Sequence, residues 1–279
     1  LKKFLVFFHL FISPTVYAYQ LKAVVVPGYS KPWIMLHSDQ SSVHEINQIR
    51  IHFHGWTQDP RTGKPYQPKI DFEWKDPKLP PSEIDMRKLI EGYSIQKEVE
   101  SNDRLAIIIP LSRGHCDQYP ELLTNFDSIF SNVLRAFDLN AALLHASAHS
   151  GGGQFLSHLL ASASRSIFLS QTLKLSLFDA IYGDSTLMNL QKWLDETKGG
   201  EVAQLQLLSI SHQKPSLLAD KFFTKISALE NLRNYKFNGI LINTKSKKLE
   251  NGNQISLIEE GVIPNTLNHW TLLQQLWSF

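Results

Sequence analysis

The sequence predicts an α/β fold, with a mostly parallel central sheet and helices on both of its faces. Apolar runs of strand length alternate with stretches of helical period along nearly the whole chain. One run, residues 105–109, is continuously apolar and ends at Pro110, as expected for a strand buried on both faces. Glycine and proline mark single turns, with no repeat and no interdomain linker, so one domain is expected over residues 19–279.

The first eighteen residues read differently. Leu1-Lys2-Lys3, an apolar stretch from Phe4 to Ile12, and Ser13-Pro14-Thr15-Val16-Tyr17-Ala18 are the three parts of a secretory signal peptide, with cleavage expected after Ala18. Pro14 interrupts the stretch well short of the roughly 20 apolar residues that a membrane anchor needs. No later segment is apolar for long enough to span a bilayer, so no stable anchor is expected once the leader is removed. The expected location is secreted or periplasmic.

Strands are expected at residues 21–26, closed by Pro27-Gly28, and at 49–54, where apolar and polar residues alternate before Gly55. Further strands are expected at 105–109, 141–148, 178–182, 205–210 and 240–242. Helical spacing runs over 84–99, with Met86, Leu89, Ile90 and Tyr93, and over 121–137, with Leu122, Phe126, Ile129, Phe130, Val133 and Leu134. It returns at 155–167, 187–194, 217–232 and 270–277. Residues 57–81, polar and rich in proline, read as a long excursion near the sheet edge, and loops of that length are often functional.

Composition narrows the function. Hydrophobic residues make up 43% of the 279 and charged residues 19%, the balance of a globular chain. A net charge of +2, without any Lys/Arg block interleaved with aromatics, argues against nucleic acid as a partner. Cys116 is the only cysteine, so there is no internal disulfide and stability must come from core burial. A cysteine-poor exported enzyme suits a bacterial envelope.

The strongest local signal is Ala141-Ala142-Leu143-Leu144-His145-Ala146-Ser147-Ala148-His149-Ser150-Gly151-Gly152-Gly153. An apolar strand runs into Ala-His-Ser-Gly-Gly and a helical pattern follows, which is small-x-Ser-x-small, the pattern of a nucleophile elbow. A serine on a sharp strand-to-helix turn needs tiny residues two before and two after it for the chain to cross. The helix that follows aims its N-terminal N–H groups at developing negative charge, and the Gly151 N–H falls where an oxyanion donor is needed.

On this motif and on element order over nearly the whole mature chain, the sequence resembles the α/β-hydrolase superfamily. It departs at Ala148, where glycine is usual. The resemblance implies a serine hydrolase, an esterase by default and a peptidase or amidase as the alternative, acting on a small-molecule ester or peptide-like substrate without a cofactor. It implies Ser150 as nucleophile and His269, between a polar loop and the closing helix, as base. The second oxyanion donor is implied in the backbone near Gly55 and Trp56, within Ile51-His52-Phe53-His54-Gly55-Trp56, with His54 holding the loop.

The acid is expected at Asp184, with Asp220 as the alternative. Asp184 follows the strand expected at 178–182, where a carboxylate can orient the histidine, and it can also cap the following helix. Asp220 lies farther along, nearer the more common family position. His54, His149, Arg113 and His115 are expected at the substrate site, because the carboxyl edge of such a sheet forms the ligand crevice. Arg113 suits an anionic substrate group. Two other readings stand beside this one. His52 and His54, two apart on one strand face, could join His115 and Asp117 in a metal-dependent hydrolase. The chain could also be a catalytically silent member of the superfamily that binds a ligand or partner.

Overall fold

The computed structural model describes residues 18–55, 87, 90–91, 94–111, 119–140, 143–162, 168, 171–196, 203–209, 214–225, 229–237, 240–250 and 252–260. Residues 1–17 of the stretch read as a signal peptide, the excursion expected at 57–81, residues 112–118 and the closing helix expected at 270–277 lie outside them.

Ten strands form one sheet. They are β1 (Tyr19–Val24), β2 (Trp33–Ser38), β3 (Gln48–Phe53), β4 (Leu105–Pro110), β5 (Leu143–His149), β6 (Thr172–Phe178), β7 (Gln204–Ser209), β8 (Leu229–Phe237), β9 (Ile240–Lys248) and β10 (Gln254–Glu260). Their spatial order is β1-β2-β4-β3-β5-β6-β7-β10-β9-β8. From β4 to β10 every neighbour pair is parallel, while β1–β2, β2–β4, β10–β9 and β9–β8 are antiparallel. The described helices are α1 (Gln96–Ser101), α2 (Pro120–Phe137), α3 (Gly152–Ala161), α4 (Asp184–Glu196) and α5 (Lys214–Lys225).

Period two divides the central strands by face. Ile49, Ile51 and Phe53 of β3, Ala146 and Ala148 of β5, Leu175 and Leu177 of β6, and Leu205 and Leu207 of β7 enter one apolar cluster. Helices α2 to α5 close it with Phe126, Phe130, Phe155, Leu190 and Phe223. The opposite face carries Arg50, His52, His145, Ser147, Lys174, Ser176 and Gln206 at the alternate positions.

That second face is polar and connected. Arg50 forms an ion pair with Glu98 of α1 and donates from Nε to His145 Nδ1 at 3.0 Å. Nδ1 of His145 therefore carries no proton, and Nε2–H donates to Ser176 Oγ at 3.1 Å. Ser176 in turn donates to Gln206 Oε1 at 2.9 Å. The chain of bonds crosses four neighbouring strands and fixes one tautomer of a partly buried imidazole. One layer nearer the strand ends, Ser147 Oγ donates to Ile51 O (3.5 Å) and accepts from His52 Nδ1 (3.0 Å).

Asn253, 2% exposed, ties three elements together where β10 begins. Its Nδ2 donates to Leu194 O of α4 (2.6 Å), and its Oδ1 accepts from the backbone N–H of Ala203 just before β7 (3.0 Å). Asn253→Ala removes one partner from a buried donor and one from a buried acceptor, and is expected to cost about 2–6 kcal/mol at about 1–3 kcal/mol per group. Urea unfolding checks this, and a loss below about 1 kcal/mol would mean that water replaces both bonds.

Most expected elements are present, with informative shifts. The strand expected at 178–182 is instead β6, Thr172–Phe178, which stops where Asp179 takes a left-handed φ of 47°. The helix expected at 217–232 ends as α5 at Lys225, and β8 begins at Leu229. Leu229 and Leu232, three apart, imitate a helix, but antiparallel pairing with β9 decides the conformation. β2 and β10 had no counterpart in the sequence reading. In the segment read as a helix over 84–99, Ser94 at φ 56° separates Ile90 and Glu91 from α1.

Candidate active site

Ser150 directly follows β5 and precedes α3, on the turn that the sequence predicted. Its φ of +52° is left-handed, a conformation that costs a non-glycine residue about 1–3 kcal/mol and tends to be held at functional sites. The surroundings hold it by direct contact. Ser150 N–H donates to Phe178 O of β6 (3.1 Å), and Ser150 O accepts from Gly153 N–H (3.0 Å) as α3 starts. The residue is 8% exposed, and the N-terminus of α3 opens beside it.

Small residues are required on both sides for steric reasons. A Cβ on Gly152 would lie 2.1 Å from Phe53 O, so the start of α3 can rest on the end of β3 only as glycine. A Cβ on Gly55 would lie 2.6 Å from Ser150 Cβ, 2.8 Å from His149 O and 3.2 Å from Gly151 N. The loop leaving β3 is thus pressed against Ser150, with the backbone of Gly55 beside that of Gly151.

His54, 5% exposed, uses Nδ1 to reach Gly55 O at 2.9 Å. A carbonyl oxygen only accepts, so Nδ1 carries the proton. Burial pushes the His54 pKa down to about 4, against the partial opposition of that hydrogen bond, and the ring is neutral at pH 7. His52, 1% exposed, is held well below the usual histidine range, first by burial and then by the neighbouring charges of His149, His54 and Arg50. His149 is buried at the end of β5. His52 lies on β3 and His54 just past its end, and each commits Nδ1 inside the protein. Among the described residues, no group of three or more His, Cys, Asp or Glu side chains could hold a metal ion.

The two carboxylates named from the sequence lie at the surface. Asp184 opens α4 with its side chain 70% exposed, 3.6 Å from Lys221 Nζ. Asp220 sits within α5 and accepts from Lys245 Nζ at 3.0 Å. A third carboxylate, passed over in the sequence, is buried: Asp179, 1% exposed, immediately after β6. Its N–H donates to Leu208 O of β7 (2.7 Å), and the residue before it accepts from Ser150 N–H. A Cβ on Gly153 would lie 2.2 Å from Ala180 O, so the chain just past Asp179 touches the first turn of α3. The alternation of Thr-Leu-Lys-Leu-Ser-Leu-Phe over β6, with a polar residue directly after it, was the signal that could have found it. His269, Trp56, Arg113 and His115 lie outside the described residues, as does Asp117 of the metal reading.

A sharp strand-to-helix turn after the fifth strand of a mixed sheet, with a glycine loop from β3 folded against it, resembles the arrangement of the α/β-hydrolase fold. No family model and no curated protein matches the chain. Solved structures to which the chain is similar include a predicted CIB-like hydrolase from Thermoplasma acidophilum, at 12% identity over 88% of this chain and 89% of that one, with a TM-score of 0.40. An acetyl xylan esterase from Aspergillus awamori shares 10% identity over 88% of this chain and 96% of its own, with a TM-score of 0.45. A prolyl endopeptidase shares 9% identity over 74% of this chain with a TM-score of 0.39, and the chain spans only 32% of that protein. The chemistry of this chain is therefore read from its own elbow. Among the described residues, no helix is long and apolar enough to cross a membrane.

Proposed function

We propose that the protein is a serine hydrolase that cleaves an ester bond through an acyl-enzyme on Ser150. The observation that carries this is the left-handed, nearly buried Ser150 between β5 and α3, with Gly55 packed on its Cβ. A turn held in a costly conformation by three neighbouring segments is explained by the need to present one hydroxyl.

Ser150 Oγ attacks the substrate carbonyl while its proton passes to His269. The oxyanion is met by the Gly151 N–H and by the backbone at Gly55 and Trp56. Collapse expels the alcohol, which takes the proton from His269. Water then attacks the acyl-enzyme with His269 again as base, releasing the acid and restoring Ser150. This sequence needs no cofactor. We assign the orienting acid to Asp179 ahead of Asp184, because a carboxylate buried at the strand end can stabilise a neighbouring imidazolium far better than one screened by solvent and Lys221. Arg113 and His115, in the loop after β4, are the side chains proposed to meet the rest of the substrate. The signal-peptide pattern read in residues 1–18 supports a location outside the cytoplasm for this activity.

The test is labelling of the mature protein with a fluorophosphonate beside Ser150→Ala. Wild-type protein is expected to take the label and the variant none, with ester turnover lowered by about 10⁴–10⁶. Folded wild-type protein that remains unlabelled would sink the reading, and metal content at His52 and His54 would be measured next.

A further inference from the structure

We propose that Tyr119 is a positioning residue for the oxyanion loop: its hydroxyl sets the direction in which the Gly55 N–H points. The proposal rests on the serine-hydrolase reading. A planar trans peptide carries its carbonyl oxygen and its N–H on opposite sides, so anchoring one aims the other. Tyr119 Oη donates to His54 O at 3.1 Å, and that carbonyl belongs to the peptide whose N–H is Gly55's.

The anchor is rigid. Tyr119 is fully buried just ahead of α2. Its ring stands edge-on to Phe53 at 5.9 Å and to His54 at 6.0 Å, and lies tilted against Phe155 of α3 at 4.6 Å. The phenol is therefore braced by the strand that carries the oxyanion loop and by the helix that follows the nucleophile. The next carbonyl along, Gly55 O, is bound by His54 Nδ1 at 2.9 Å. Two consecutive peptide planes are thus each fixed by a side chain, at the point where the loop touches Ser150 Cβ and approaches Gly151 N. Dipoles fixed before charge develops are what lowers the barrier to a tetrahedral intermediate, since nothing has to reorient as the oxyanion forms.

Tyr119→Phe removes the hydroxyl and keeps the ring. At a temperature where circular dichroism shows both proteins folded, the second-order rate of fluorophosphonate labelling is expected to fall about ten- to a hundredfold. With an ester substrate, kcat is expected to fall while KM stays within about twofold, as for an interaction made in the transition state. The Gly55 amide cross-peak in a ¹⁵N spectrum should move. A tyrosine that only packs would lower Tm yet leave the labelling rate and the Gly55 resonance at wild-type values, and that outcome overturns the proposal. Wild-type protein that takes no label overturns the serine reading instead. In that case the Gly55 resonance still decides the tyrosine, because an unmoved cross-peak shows that Tyr119 does not orient this peptide.

Discussion

Asp179→Asn is expected to lower kcat by about 10⁴ while Asp184→Asn leaves it within about twofold, the contrast between a buried orienting acid and a solvated ion pair. The two side chains are five residues apart, but their surroundings differ in kind. Asp179 is 1% exposed at the end of β6, one residue beyond the carbonyl that accepts from Ser150 N–H. Asp184 is 70% exposed and faces a lysine that is itself 53% exposed. Asparagine at 179 keeps the shape and removes the charge, so an imidazole resting on it would lose both its tautomer preference and the partner of its protonated form. Steady-state kinetics of both variants on one ester settle the assignment. A large loss in Asp184→Asn with an active Asp179→Asn would return the role to Asp184 and require α4 to move in the working enzyme.

The second large effect concerns stability against pH. His52 and His54 are buried and His145 is partly buried, and desolvation is the leading cause that lowers the pKa of each. The charge of Arg50 adds to the lowering of His52 and His145. In the unfolded chain these rings titrate near 6.5. Above that pH both states are neutral and the contribution is constant. Below it the unfolded chain binds protons that the folded state refuses, so stability falls as pH drops from about 6.5 toward the folded values, which for His54 is about 4. At pH 5 the loss is about 2 kcal/mol for His54, and His52 and His145 add to it in the same direction. Urea midpoints at pH 7.5 and pH 5 measure it. A midpoint that does not fall would show that the folded protein accepts these protons after all, and that the Arg50–His145 bond is not maintained in acid.

The sequence was most legible where period and steric demand coincide. The elbow could be read from Ala148, Ser150 and Gly152 because the chain crossing leaves no room there for larger side chains, as the 2.1 Å approach to Phe53 O shows. α2 was legible because its buried residues, Leu122 to Phe137, repeat at helical spacing. β9 was read only in its first residues, since Lys245, Lys247 and Lys248 give an edge-region strand the look of a loop. Asp179 was missed for a subtler reason. Its apolar neighbours Phe178, Ala180 and Ile181 extend the strand pattern past the true end, and only the backbone conformation, which aspartate tolerates unusually well, reveals the break. The hydrogen bond from Tyr119 to His54 O joins segments 65 positions apart, which no local pattern can encode.

The polar row across β3, β5, β6 and β7 has a consequence for how the strands find one another. A parallel strand that slips by one residue exchanges its two faces. For β3 such a slip would turn Arg50 and His52 into the space now filled by Phe126, Phe130 and Phe155, and leave Ile49 and Ile51 facing Glu98. Purely apolar strands would lose some packing from that exchange, but here it would strand a guanidinium and an imidazole in hydrocarbon. Arg50, His145, Ser176 and Gln206 thus act as an alignment key, rejecting every off-by-one assembly of the central sheet and so fixing the height at which the end of β5 delivers Ser150.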